Sequence, residues 1–312
     1  MDTTARPLSG HPPARHPVRG LLLAIACLLP VALPAGEMDR YWRPEVRILP
    51  PAAGETHEGD TGVGHIRIGA RAPRAPVRAL PVAATPAREI AWSYDGEGGP
   101  EHWGSLRPDY GLCASGRRQS PVDASDAIRV ELMPIDFHYV PAPLRISDDG
   151  HTLQVALSGS TLEVNGRRYT LDGLSFHRPA EARLDGITHD MSAQLLHHDD
   201  DGHLAMVTIL LDRGAANPLL QTLLNHLPLE SGVESRLDDV LINPALLLPG
   251  DRRYVSLLGS LTTPPCSEGV LHLILAQPVT LSEEQLAIFA RLHGPNARPL
   301  QPVNGRVILG PR

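Results

Sequence analysis

The chain carries 312 residues with a formal net charge of −7, and 42% of it is hydrophobic against 20% charged. That is material for one large buried core or two small ones, in an ordinary globular composition. An acidic balance with no lysine at all excludes a nucleic-acid binder, which would present a basic face. Three cysteines are too few for a disulfide-built mini-fold, and aromatics at 4% leave core burial to Leu, Val, Ile and Ala.

Residues 1–35 read as an export signal. Arg6, Arg15 and Arg19 supply a positive start, and Leu21 to Leu29 is an apolar run too short to span a membrane comfortably. Leu33-Pro34-Ala35 ends it on a small residue suited to cleavage. The expected location is therefore periplasmic or secreted, with no membrane span in the mature chain; an uncleaved anchor is the alternative. Cys27 would leave with the signal, and Cys113 and Cys266 would remain, an even number in an oxidising compartment. Residues 36–90 are rich in Pro, Ala, Gly and Arg without sustained periodicity and read as a disordered linker, with one weak strand candidate at His65–Ile68.

From Trp92 the texture changes. Thr152–Leu157 and Thr161–Val164 alternate with period two on either side of Ser158-Gly159-Ser160, which predicts a hairpin. Val207–Leu211 and Val270–Leu275 predict buried strands. Asn217-Pro218 places a cap and a first-turn proline before Leu219, Leu220, Leu223 and Leu224 on one helical face. Ser282 with Gln285 predicts a capping box on a second helix that Gly294-Pro295 stops. Many strands and few helices make residues 91–312 a single, mainly β domain.

The chain has no CxxC, HExxH, GxSxG or phosphate-loop glycine pattern. His197-His198-Asp199-Asp200-Asp201-Gly202-His203 could suggest a metal site, but Asp-Gly between two strand-like runs reads better as a hairpin turn with solvated charges. In Leu174–Glu181, strand alternation puts Ser175 and His177 on one face and Leu174 and Phe176 on the other. In Asp190–Leu196, Ser192, Gln194 and Leu196 share a face.

With these segments in view, the chain resembles the α-class carbonic anhydrases of bacterial type. The resemblance rests on Trp92-Ser93-Tyr94-Asp95-Gly96, His102-Trp103-Gly104, Gln119-Ser120-Pro121-Val122-Asp123, Asp149-Gly150-His151-Thr152, Ser260 through Gly269, and Asn296-Ala297-Arg298-Pro299 with Gln301-Pro302 and Asn304-Gly305-Arg306. It implies a central, largely antiparallel twisted sheet of about ten strands with short helices around it. It also implies a disulfide between Cys113 and Cys266, a proton-shuttle position at His151, a hydroxyl that orients the zinc-bound hydroxide at Thr262 beside Thr263, and an acidic partner at Glu181.

The resemblance places the family's three zinc-binding histidines on Ser175, His177 and Gln194, so only His177 is retained. The partners that orient the two missing ligands fall on Gly173 and Ser192, where the family has glutamine and glutamate; the partner of His177 is a backbone carbonyl near Asn296. A catalytic zinc needs three protein ligands and one open position, and a serine hydroxyl or glutamine amide is a poor substitute for imidazole. Two readings follow. In the first, the chain is an exported binding or scaffold domain with no cofactor, catalytically inactive or strongly impaired, taking an unknown ligand or protein. In the second, it is a zinc enzyme with an unconventional ligand set that hydrates CO2 to bicarbonate.

Overall fold

Long runs in which every second residue is apolar put two different chemistries on the two faces of one sheet, and the computed structural model, which describes residues 91–312, shows that sheet. Its strands are β1 (Ile128–Val130), β2 (Asp136–His138), β3 (Ala142–Asp148), β4 (Leu153–Ala156), β5 (Thr161–Val164), β6 (Arg167–His177), β7 (Met191–His198), β8 (Leu204–Arg213), β9 (Ser235–Ile242), β10 (Tyr254–Ser260), β11 (Glu268–Leu275), β12 (Val279–Leu281) and β13 (Leu309–Pro311). The helices are α1 (Trp103–Leu106), α2 (Leu112–Ser115), α3 (Pro218–Leu224) and α4 (Glu283–Leu292). The strand order runs β1-β13-β10-β11-β8-β7-β6-β4-β3-β9, with β2, β5 and β12 paired alongside. Most neighbours are antiparallel; β1 with β13 and β8 with both β11 and β12 are parallel. The signal and linker expectations for 1–35 and 36–90, including the strand at His65–Ile68, lie outside the described residues.

On one face, Leu174 and Phe176 of β6, Ala193 and Leu195 of β7, Val207 and Ile209 of β8 and Leu273 of β11 form the main core, against which α3 and α4 pack. Asn217 caps α3 by accepting from the Leu219 and Leu220 amides, and the capping box of Ser282 and Gln285 starts α4. The Gln285 side chain also exchanges two hydrogen bonds of 2.9 Å with the Asn217 backbone, so one cap braces the other helix. The second helix ends at Leu292, with His293 already extended, just before Gly294-Pro295.

The opposite face is polar at its centre. Register aligns Ser175, Gln194, Thr208 and Ile274 in one row across β6, β7, β8 and β11, and His177, Ser192 and Leu210 in the next. The strands thus fix Ser175, His177, Ser192 and Gln194 as near neighbours on one surface.

Two sequence expectations are corrected. β4 and β5 do not form a hairpin with each other. Both pair antiparallel to the long β6, β4 with Gly173–Ser175 and β5 with Arg167–Thr170. An irregularity between Leu171 and Gly173 breaks the pairing of β6 with β7. Between the two short strands, the Leu157 amide donates to the Asp172 carbonyl and the Leu171 amide to that of Ser160, so Ser158-Gly159 only kinks the chain along the same neighbour. In the segment His197–His203 the two leading histidines end β7 and Asp199–His203 form the β7–β8 turn as expected, but Asp199 is buried rather than solvated. It accepts from the His203 amide at 2.8 Å and is ion-paired to Arg167.

Candidate functional site

His177 closes β6 and is 2% exposed. Its Nδ1 donates to the Asn296 carbonyl at 2.9 Å, which fixes the ring's orientation and leaves Nε2 without a partner among the described residues. Asn296 is itself immobilised. Its Oδ1 accepts from the Arg178 amide at 2.7 Å, and its Nδ2 donates to the carbonyls of His151 and Phe176. One buried side chain therefore joins the end of β6, the turn before β4 and the segment that positions the histidine. The family resemblance pointed only to the carbonyl near Asn296; this side chain's own role went unread.

Gln194 faces Ser175 across β6 and β7. Its Nε2 donates to Glu181 Oε2 at 2.6 Å, and the Arg298 amide donates to Glu181 Oε1 at 2.9 Å. Both carboxylate oxygens are thus engaged in a side chain with no exposed surface, and Oε2 lies 3.7 Å from His177 Nδ1. Thr262 is 3% exposed and makes no hydrogen bond to Glu181. The expected pairing of Thr262 with Glu181 is therefore replaced by one with Gln194, because the amide reaches the carboxylate from the neighbouring strand. A small cavity lies beneath Thr262 and Gln194, lined also by Ser120, Thr208 and His272. Thr263 is half-buried, and its carbonyl accepts from the Cys266 amide at 2.9 Å. Cys266 is bonded to Cys113.

His151 stacks on Trp92 with ring centroids 3.6 Å apart and an interplanar angle of 17°. Burial pulls its pKa below the ordinary imidazole value, and the nearby Asp149 carboxylate pulls the other way. Close by, burial first and then the Glu181 charge push the Tyr94 hydroxyl well above its usual range.

The neighbouring positions are small or unpartnered. Ser192 sits opposite His177, and its Oγ is buried without a partner. Gln154, opposite Ser175 on β4, has a buried Oε1 in the same condition; the alternation of Thr152–Leu157 already sets Gln154 on the face away from Leu153 and Val155. Gly173 packs so closely on β4 that a Cβ there would lie 2.5 Å from the Val155 carbonyl oxygen. No longer side chain enters that position without moving backbone.

Residues 98–311 match the family model described as eukaryotic-type carbonic anhydrase. The chain belongs to the carbonic anhydrase family. A carbonic anhydrase of Klebsiella pneumoniae is 39% identical over 222 residues, 70% of this chain and 90% of that one. Among solved structures, a hyperthermostable carbonic anhydrase from an active hydrothermal vent chimney superposes with a TM-score of 0.69 at 39% identity, covering 71% of this chain and all of that one. The α-carbonic anhydrase of Thermovibrio ammonificans in complex with sulfanilamide gives 0.68 at 37% identity, covering 70% and 98%. The mainly β fold around one large twisted sheet is that of these neighbours.

Carbonic anhydrases act on CO2 and bicarbonate and usually bind zinc. The residues of this chain do not fit that ion. The three facing side chains offer one imidazole, one hydroxyl and one amide whose nitrogen is committed to Glu181. Imidazole and thiolate hold zinc; a neutral hydroxyl and an amide carbonyl do so poorly. At the positions that the resemblance gives to the carboxylate and amide orienting ligand imidazoles stand Ser192 and Gly173, and Gly173 has no room for a side chain.

Proposed function

We propose that this carbonic anhydrase relative is a zinc-less binding domain that does not hydrate CO2. The observation that carries the reading is the bond from Gln194 to Glu181. The side chain at a lost ligand position has been absorbed into a buried hydrogen-bond pair, and it holds the site in a shape that needs no ion. Hydration of CO2 at neutral pH requires a hydroxide, which a metal supplies by lowering the pKa of its bound water to about 7. One imidazole with a hydroxyl and an amide does not hold zinc for that task.

His151, Thr262 and Glu181 persist in this reading as structural groups. His151 packs on Trp92, and Glu181 joins β7 to the segment around Arg298. The positive, apolar and small-residue order of residues 1–35 supports export to the periplasm or beyond, and the composition of 36–90 supports a linker between that signal and the domain. No helix among the described residues is long and apolar enough to cross a membrane.

The competing reading, an active enzyme with an unusual ligand set, is favoured by the names of its relatives, several of which are carbonic anhydrases at 36–39% identity. Zinc content and CO2 hydration of the purified chain separate the two. Far less than one zinc per chain after gel filtration with a weak chelator, with hydration at background, is the expected result. Stoichiometric zinc, or hydration abolished by His177→Ala, would establish the enzyme instead.

A further inference from the structure

Arg178 follows His177 at the end of β6, so alternation directs its side chain away from the face that carries His177. It reaches the C-terminal end of α4, where Nη2 lies 3.4 Å from the His293 carbonyl. That long contact is the one bond its guanidinium makes among the described residues. Nε is buried without a partner, and Nη1 has none either. Arg178 is half-buried and forms no ion pair among the described residues, in a chain with 35 acidic residues to 28 basic ones. A guanidinium drawn out of water is normally paired, because one weak bond to a carbonyl does not offset its desolvation.

An open cleft of about 270 Å³ lies at this guanidinium, between Pro179, the segment entering β7, the end of β8 and α4. The other charged groups of its lining have partners. Arg213 at the end of β8 pairs with Asp190 at 3.3 Å and donates its amide to the same carboxylate at 3.1 Å; His189 Nδ1 lies 2.9 Å from Asp212. Arg178 alone lacks a counter-ion. Pro179 and Leu286 add apolar surface, and Thr188 adds an exposed hydroxyl. A second negative charge on a ligand would meet Asp190, which lines the cleft, and Asp212 beside His189, so the lining favours a single one.

We propose that this cleft binds the carboxylate of a small organic acid with an apolar body. Arg178 supplies the charge and the free Nη1 donor, Thr188 a hydroxyl, and Pro179 with Leu286 the surface for the hydrocarbon. Ser175, His177 and Gln194 do not line the cleft, and the proposal holds whether or not the chain carries zinc.

The test titrates the full chain by calorimetry with benzoate, benzyl alcohol and inorganic phosphate. Benzoate should bind saturably at millimolar concentration, about tenfold or more tightly than benzyl alcohol, because a charged acceptor makes the stronger hydrogen bonds. Phosphate should bind more weakly than benzoate. Arg178→Gln should weaken benzoate about tenfold or more. Thr188→Glu, at an exposed position, sets a competing carboxylate in the cleft and should weaken it by a similar factor. Ser175→Ala, on the face that carries His177, should leave binding unchanged. Thermal melting checks that each variant is folded, and Thr188→Glu decides alone if Arg178→Gln is not. Benzoate that does not bind, or binds unchanged in Arg178→Gln and Thr188→Glu, overturns the inference. So does phosphate binding more tightly than benzoate, or a loss of benzoate in Ser175→Ala. None of these results bears on zinc content or CO2 hydration, so the zinc-less reading stands or falls separately.

Discussion

Gln194 donates its side-chain amide to Glu181 at 2.6 Å, between two residues that both lie almost fully buried on the polar face of the sheet. The bond ties β7 to the segment beyond the cis-proline at 179, and Arg298 closes the second oxygen from the far side. A side chain at a position that the resemblance gives to a metal ligand is part of the scaffold.

That bond has a measurable value. Gln194→Leu keeps the volume but leaves Glu181 with one satisfied oxygen in a dry environment. An unpaired buried acceptor costs about 1–3 kcal/mol, more when charged, so the variant should lose roughly 2–3 kcal/mol in urea unfolding. Gln194→Glu, which places a second carboxylate against the first, should lose at least as much at pH 7 and recover as the pH falls and the pair shares a proton. Equal stability of wild type and Gln194→Leu would show that the contact carries no load.

Two buried histidines make the fold acid-sensitive. His197 bonds the Leu195 carbonyl through Nδ1 and the Tyr139 hydroxyl through Nε2, and burial drives its pKa to about 3. His272 bonds the Ser260 carbonyl, and burial drives its pKa to about 4. Each is depressed below the unfolded value of about 6.5, so the unfolded chain takes up the extra protons. Their contribution is complete above about pH 6.5 and falls by roughly 1.4 kcal/mol per pH unit for each histidine as the pH drops toward those folded values. Urea unfolding between pH 7 and 4 should show that slope, and His197→Gln should reduce it by about one proton. A flat profile through this range would refute the assignment.

The bond between Cys113 and Cys266 spans 153 positions and anchors the loop that carries Thr262 and Thr263. Chain entropy puts the benefit of closing so long a loop at about 5 kcal/mol, as an upper value. Reduction should lower the melting temperature clearly, and Cys113→Ala with Cys266→Ala should cost about 2–5 kcal/mol. Two alkylatable thiols in the native chain purified without reductant would contradict it.

How legible all this was follows from how local each signal is. The caps at Asn217 and Ser282 were read correctly because a cap is decided within four residues. The disulfide followed from resemblance alone. The β4–β5 hairpin was misread because Ser158-Gly159-Ser160 reports a bend but not which strand the next segment will pair with; β6, longer than either, captured both. At the site, the alternation of Ser175 with His177 and of Ser192 with Gln194 put the right side chains on one face. The Gln194 bond was invisible because it joins a strand to a distant loop residue. Gly173 did leave a signal: a glycine inside a strand often marks a close backbone approach, and here the Val155 carbonyl is that neighbour.

Gly173 also limits how far a zinc site can be built into this chain. Ser175→His with Gln194→His would place three imidazoles on positions whose strand register already brings them together, His177 being held through Asn296. The double variant should bind zinc measurably, and more tightly than the unmodified chain. Adding Ser192→Glu should tighten it, because a carboxylate fixes the tautomer of a ligand imidazole, an effect worth about 10–100-fold in affinity. It would also give the buried space around the unpartnered Ser192 Oγ a hydrogen-bonding group with a partner. Gly173→Gln should do the opposite. Its Cβ would meet the Val155 carbonyl at 2.5 Å, so β4 must shift, costing roughly 1–3 kcal/mol and disturbing the imidazole it was meant to orient. Zinc titrations of the double, triple and quadruple variants, each with a thermal melt, should therefore rise in affinity at Ser192→Glu and fall in both affinity and stability at Gly173→Gln. If Gly173→Gln instead tightened zinc without loss of stability, the contact with Val155 would be soft, and only Ser175 and Gln194 would stand against a metal site here.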